Sequence, residues 1–268
     1  MQLSNRALLG LKMNTRCDID PAGCAGLIKL SKAVVVLTGA GVSTAAGIPD
    51  FRGPRGLYVT RQYDPEKVFD IDWFSRDPRF FYDFSRDFID LMKNTGPTFT
   101  HQFLAAIEQQ GRLKAVITQN IDALHQVAGS QKVVELHGSY RAATCHGCGK
   151  HCADLTYDWW DKAMRDSPRA PVALCPACNG VLKPDIVFFG EPVHTIVEAQ
   201  EMVAECDLLL VLGSSLQVTP ASLLPHFTKQ TTIVINKGHV TLAPAPHRRF
   251  VEEELDGYCR EVAKYIKP

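Results

Sequence analysis

Four short apolar runs constrain the fold of this chain most: 33-AVVVLTGAG-41, 114-KAVITQN-120, 207-DLLLVLGSS-215 and 231-TTIVIN-236. Each is rich in Val, Ile or Leu at successive positions. A strand that is apolar on both faces is the mark of a parallel sheet covered on both sides. Apolar residues at helical spacing fill the stretches before and between them: 21-PAGCAGLIKLSK-32, 100-THQFLAAIEQQG-111 and 195-TIVEAQEMVAEC-206. Strands alternating with helices predict an α/β fold with a Rossmann-like parallel sheet domain. Such sheets bind ligands beyond the carboxyl ends of their strands. All four runs end in glycine, hydroxyl or amide residues, which makes those ends the candidate site.

Two stretches break the alternation. Residues 62–99 read as helical and carry many aromatics, among them Phe69, Trp73, Phe74, Phe81 and Phe84. Residues 139–186 hold a cysteine cluster. The predicted organisation is one catalytic domain over 1–268. Its Rossmann-like large lobe covers about 20–61, 100–138 and 187–268, and a smaller lobe is inserted as a helical part, about 62–99, and a zinc part, about 139–186. A formal net charge of zero argues against broad electrostatic capture of nucleic acid or anionic membrane. No apolar run reaches spanning length, and residues 1–17 lack a secretory pattern. Those residues carry Arg6, Lys12 and Arg16 without acids, a weak transit-peptide likeness, and Met13 is an alternative start. The expectation is a cytoplasmic monomer with no nucleic-acid or membrane partner.

Cys145-x-x-Cys148 and Cys175-x-x-Cys178 are two knuckles separated by 26 residues. Two close thiolates from one tight turn supply half of a tetrahedral Zn²⁺ site. The gap exceeds the usual zinc-ribbon spacing and predicts a helix within it. Disulfides and free buried thiols are the alternatives, and a reducing compartment disfavours the first. Four thiolates leave no open coordination position, so the Zn²⁺, one per chain, is expected to be structural. It would pin down an insertion too short to bury its own core. His151 and Cys152 are spare candidates. Cys17, Cys24, Cys206 and Cys259 read as small apolar packers.

The run 36-VLTGAGVSTAAGIPDFRG-53 follows a strand. Gly39 and Gly41 permit a tight turn and close approach of backbone N–H groups to a phosphate. The third glycine, Gly47, falls too late for a G-x-G-x-x-G fingerprint. Gly213, Ser214 and Ser215 end a second strand and offer donors to phosphate. Asn236 ends a third, where an amide suits ribose hydroxyls. Gln119, Asn120 and Asp122 end a fourth. Four polar strand ends fit one extended nucleotide; each alone reads equally well as a loop cap. His137 follows another apolar run and stands between the nucleotide strands and the zinc insertion, where a general base works near neutral pH. His125 reads as a helix residue that fixes its loop, and His101 as a cap or surface residue.

In order along the chain stand GAGVSTAAGIPDFRG (39–53), TQNIDALH (118–125), ELHGS (135–139), the two C-x-x-C pairs, KPDIVFFGE (183–191), GSSLQVTPAS (213–222) and VIN (234–236). This succession resembles the sirtuin (Sir2) family of NAD-dependent protein lysine deacylases, bacterial-type members most of all. It runs from about residue 25 to 240. The resemblance implies that Ala40, Gly41, Thr44, Asp50, Phe51 and Arg52 form the loop over NAD. It places Gln119, Asn120, Ile121 and Asp122 in the nicotinamide and ribose pocket, and Gly213, Ser214, Ser215 and Asn236 on the phosphates and adenosine. His137 corresponds to the family's base, with Asn120 its catalytic companion, and the four cysteines to its zinc ligands. Val187, Phe188, Phe189, Gly190 and Glu191 correspond to the segment that pairs with a substrate peptide as an added strand. The implied reaction sends the acyl-lysine oxygen to the ribose carbon as nicotinamide leaves. His137 then takes a ribose hydroxyl proton, and the products are free lysine and O-acyl-ADP-ribose.

The family branch that removes acidic acyl groups carries a Tyr-x-x-Arg pair. In 83-DFSRDF-88 the matching positions are Ser85 and Phe88, which implies uncharged acyl groups such as acetyl. Residues 237–268 match poorly, and which of Glu254, Leu255 or Asp256 meets adenine is open. Ala46 stands where many relatives have Ser. Rival readings are a protein mono-ADP-ribosyltransferase, a nicotinamide oxidoreductase and a non-catalytic NAD-sensing module. His137 argues against the first. Asn120 and Asp122 suit cleavage at nicotinamide better than hydride transfer.

Overall fold

The computed structural model of the chain describes residues 17–49 and 63–266. Asp50, Phe51 and Arg52, expected over NAD, lie outside the described residues. Strands β1 (Val34–Thr38), β2 (Leu113–Thr118), β3 (Val133–Glu135), β7 (Leu208–Leu212), β8 (Thr231–Ile235) and β9 (Arg248–Val251) form one sheet in the order β3-β2-β1-β7-β8-β9. All neighbours are parallel. The strand order reverses between β1 and β7, the switch point at which doubly wound sheets bind ligands. Helices α1 (Pro21–Leu30), α3 (Phe99–Gln109) and α7 (Leu255–Ala263) cover one face, and α6 (Ile196–Glu205) the other. This explains the unbroken apolar runs. Val34 and Val36 pack with Ile28, Leu104 and Val262, while Val35 and Leu37 pack with Ala199 and Val203.

The poorly matched end of the chain has structural work. Asp256 accepts hydrogen bonds from the amides of Phe99 (3.0 Å) and Thr100 (2.9 Å), the first two residues of α3. Glu254 caps its own helix by accepting from Asp256 and Gly257, and Leu255 is buried in the core. All three candidates for adenine contact are thus engaged in caps or core.

The second lobe has its own sheet, β5 (His151–Cys152), β4 (Gly138–Cys145) and β6 (Leu182–Ile186), with both pairs antiparallel. Against it pack α2 (Arg79–Lys93) and α5 (Tyr157–Arg165), the latter being the helix expected between the two cysteine pairs. The zinc insertion does not bury a core by itself. Phe69, Phe74, Phe81, Phe84, Tyr140, Trp160 and Phe188 form one aromatic cluster that also takes in Cys145 and Cys175. The helical and zinc insertions share it, and neither buries it alone. Two buried bonds tie them further: Tyr82 donates to the Leu182 carbonyl at 2.6 Å, and the Ser85 and Tyr140 hydroxyls share a hydrogen bond at 2.8 Å.

Candidate active site

The glycine turn packs against the end of β7. The Gly39 amide donates to the Leu212 carbonyl (3.0 Å) and the Gly41 amide to the Gly213 carbonyl (2.9 Å). These two amides are therefore committed to the sheet. What glycine supplies here is the absence of a side chain: a Cβ on Gly41 would stand 2.7 Å from the Gly213 Cα. Thr44 donates to the Gly41 carbonyl, just after Ala40 (3.0 Å). Ser214 accepts from the Gln119 amide group (2.8 Å) and the Leu216 N–H, which ties the ends of β2 and β7 together. Asn236 lies at the end of β8, its amide donating to the Gly238 carbonyl. Ser215 follows Ser214 on the same strand end. The predicted strand-end residues thus meet at one edge of the sheet.

Ser43, which the sequence reading did not single out, organises the centre. Its hydroxyl donates to Asp122 Oδ2 at 2.6 Å and accepts from Asn120 Nδ2 at 3.1 Å. The other Asp122 oxygen accepts from the Leu124 N–H at the start of α4 (Leu124–Val127). Asn120 and Asp122 are both buried. A cavity of about 190 Å³ opens beside them, walled by Ala40, Ile48, Phe88 and Ile121. Tyr157 of α5 donates to the Asp122 carbonyl, so the second lobe holds this loop from its far side. Beneath it, His125 bonds Thr38 (3.0 Å), and His101 completes a capping box with Thr98 at the start of α3. Their rings lie 4.5 Å apart. Both are structural, as expected for His125; His101 is a buried cap.

His137 sits in the turn between β3 and β4. Its Nδ1 lies 2.7 Å from the Gln119 carbonyl. A carbonyl only accepts, so Nδ1 carries the proton and Nε2 of the neutral ring keeps its lone pair. Burial holds the His137 pKa below the ordinary histidine value, and the Gln119 bond partly offsets that. The His137 carbonyl in turn accepts from the Val187 N–H (2.9 Å).

The segment expected to receive a peptide is already paired on one side. Phe189 donates to the Phe69 carbonyl and accepts from the Ile71 N–H. The Phe188 N–H donates to the Glu191 carboxylate, which also pairs with Lys183 at 2.9 Å. Gly190, with φ of +95°, lies in the turn that the Glu191 N–H closes onto the Phe188 carbonyl (3.0 Å).

Cys145, Cys148, Cys175 and Cys178 place their sulfurs within 4.8 Å of one another. Sulfur separations of 3.5 and 3.9 Å bracket the ~3.8 Å edge of a tetrahedral Zn–thiolate centre. A Cβ on Gly180 would come within 3.0 Å of the Cys145 sulfur, so glycine leaves room for the cluster. Burial works against the Cys145 thiolate, but donation from the Cys148 and Gly147 amides and from neighbouring thiols prevails and brings it down to about 7. The donor set fits Zn²⁺. His151 and Cys152 stand outside the cluster, His151 pairing with Asp185.

The fold and site thus define a doubly wound α/β protein with an inserted lobe that carries four clustered cysteines. Residues 39–220 match the Sir2 family. An NAD-dependent protein deacetylase of Sulfolobus acidocaldarius is 39% identical over 245 residues, covering 91% of this chain and 94% of the relative. Among solved structures, "Sir2 bound to acetylated peptide" superposes with a TM-score of 0.79 at 36% identity, covering 92% of this chain and 98% of that one. "Sir2-p53 peptide-NAD+" gives 0.78 at 38% identity, over 89% and 95%. The chain belongs to the Sir2 family.

Proposed function

We infer that the chain is an NAD-dependent protein lysine deacylase, which moves the acyl group of a modified lysine to ADP-ribose and releases nicotinamide. The observation that carries this reading is His137, its Nδ1 fixed by Gln119 and its Nε2 left as acceptor, beside the Ser43–Asn120–Asp122 group. NAD, when bound, supplies the ribose carbon that the acyl oxygen attacks and the nicotinamide that leaves. Asn120 and Asp122, held by Ser43, orient the carboxamide end. The turn at Gly39, Ala40, Gly41 and Thr44, together with Asp50, Phe51 and Arg52, excludes bulk water. Gly213, Ser214, Ser215 and Asn236 hold the phosphate and adenosine side. His137 takes a ribose hydroxyl proton; its lowered pKa keeps the ring neutral and able to do so at pH 7. The Cys₄ site holds Zn²⁺ structurally and, through α5 and Tyr157, steadies the Asp122 loop.

The substrate is an acyl-lysine protein or peptide that pairs with the segment Val187, Phe188, Phe189, Gly190 and Glu191. Ser85 is spent on the Tyr140 hydroxyl, and Phe88 lies in the cavity wall beside Asp87. Neither offers a cation to a carboxylate, which favours uncharged acyl groups such as acetyl. In this reading the two insertions form one lobe of a single catalytic domain. The protein works as a cytoplasmic monomer without nucleic-acid or membrane partners.

The test is incubation with NAD and an acetyl-lysine peptide, with both products followed by mass spectrometry. Deacetylated peptide and O-acetyl-ADP-ribose in equal amounts, dependent on NAD, are expected. Nicotinamide release with ADP-ribose attached to protein would replace this reading by the transferase. No NAD turnover across acetyl, propionyl and butyryl peptides would sink it.

A further inference from the structure

We propose that Glu135 is a positioning residue for His137, acting as a clamp across the turn that carries the base. This rests on the reading of His137 as that base.

Glu135 ends β3, where it is in register with Thr118 of β2, one residue before Gln119. His137 is two residues further on. The Glu135 carboxylate reaches over the turn and collects donors from both sides. Oε2 accepts from the Ser139 hydroxyl (3.1 Å) and the Arg141 guanidinium (2.8 Å), both on β4. Oε1 accepts from Gln126 Nε2 (2.8 Å), on the short helix that follows the Asn120–Asp122 loop. The Glu135 backbone carbonyl accepts from Thr195. The carboxylate is 13% exposed while Arg141 is 55% exposed, so this is more than a surface ion pair.

The geometry couples the two halves of the site. The Gln119 carbonyl fixes the His137 ring only while the ends of β2 and β4 keep their spacing. The β2–β3 ladder sets one side of that spacing, and the Glu135 carboxylate sets the other. Without it, the turn keeps the Leu136 N–H bond to the Thr118 carbonyl (2.9 Å), the Thr195 bond to the Glu135 carbonyl, the His137 carbonyl bond to Val187 and the ring bond itself, none of which joins β3 to the start of β4 by a side chain. A base misplaced by about an ångström costs on the order of 10²-fold in rate. Nicotinamide release precedes the step that needs His137, so a loosened turn spares it.

The variants are Glu135→Ala, Glu135→Gln and His137→Ala, with Gln126→Ala/Ser139→Ala unclamping the turn from the partner side should Glu135→Ala fold poorly. Three readouts are taken: peptide deacetylation, exchange of labelled nicotinamide into NAD in the presence of acetyl peptide, and ¹⁵N-histidine NMR of the protein without NAD. For Glu135→Ala, deacetylation is expected to fall about 10–100-fold, with exchange and both KM values within about threefold. The His137 nitrogen signals, assigned by their absence in His137→Ala, should move from one fixed tautomer toward an average. Glu135→Gln keeps the length and an acceptor oxygen and should recover most of the rate. Equal loss of exchange and deacetylation, or an unchanged His137 tautomer in Glu135→Ala, would overturn the clamp. Full deacetylation in His137→Ala would remove the base reading and the clamp with it. A large loss in His137→Ala beside none in Glu135→Ala overturns the clamp alone.

Discussion

Gly138 and Gly111 share a left-handed backbone, with φ of +67° and +72°, and differ in what surrounds them. A Cβ built on Gly111 meets nothing within 4 Å. One built on Gly138 would stand 1.8 Å from the Asp185 carbonyl oxygen, where real contacts do not fall under 3.0 Å. Both alanine variants carry the left-handed penalty of about 1–2 kcal/mol. Only Gly138→Ala must also push β4 away from β6, opening the Gly138–Ile186 pairing and the bond from the Val187 amide to the His137 carbonyl. At about 1 kcal/mol for each hydrogen bond weakened, the total for Gly138→Ala is roughly 3–4 kcal/mol. Urea unfolding of the two variants side by side isolates the steric part. Because the opening falls beside the base, deacetylation by Gly138→Ala should drop at least tenfold even where the protein is fully folded. A Gly138→Ala variant within 1 kcal/mol of Gly111→Ala would refute the reasoning.

Further outcomes are expected. Ser43→Ala strips one partner from each of two buried groups, at about 1–3 kcal/mol; it should reduce nicotinamide exchange and deacetylation together, unlike Glu135→Ala, and an unchanged exchange rate would contradict the role of Ser43. His101 and His125 are 0% and 1% exposed, and burial lowers both pKa values. Their unfolded forms therefore bind protons first. The stability of the neutral pair is complete above the ordinary value of 6.5 and is lost as pH falls toward the depressed folded values. One to two protons give a slope of about 1.4–2.7 kcal/mol per pH unit. Urea midpoints between pH 7 and 5.5 check it, and His125→Asn should flatten the curve. Elemental analysis should find one zinc per chain; Cys175→Ser should lose it, together with the near-ultraviolet dichroism of the aromatic cluster.

The sheet was legible because its central strands are buried on both faces, which leaves an unbroken apolar signature. β9 escaped because Arg248–Val251 is an edge strand with two half-buried residues, and the charged pair Arg248 and Arg249 hides it. The cysteine spacing announced a metal site and even the helix inside it. The aromatic core around that site was not readable, since its partners lie far apart in the chain: Tyr82 and Leu182 are 100 residues apart. Asn120, Asp122 and His137 drew notice as polar residues ending apolar runs. Ser43 sits among glycines and alanines where backbone arguments dominate, and Glu135 looks like an ordinary surface acid. What distinguishes these two is their partners, which only folding assembles. The segment Val187–Glu191 was legible as a stretch, but its committed backbone groups depend on Phe69 and Ile71, which no local pattern ties to it.

All three tryptophans, Trp73, Trp159 and Trp160, belong to the aromatic lobe, and none lies on the nucleotide sheet. Tryptophan emission, excited clear of tyrosine, is thus a private optical channel to one half of the molecule, whereas far-ultraviolet dichroism averages over both. Superimposable melting traces from the two signals would mean that the lobes unfold as one cooperative body. Early loss of emission would mean that the cysteine lobe opens first and the sheet outlives it.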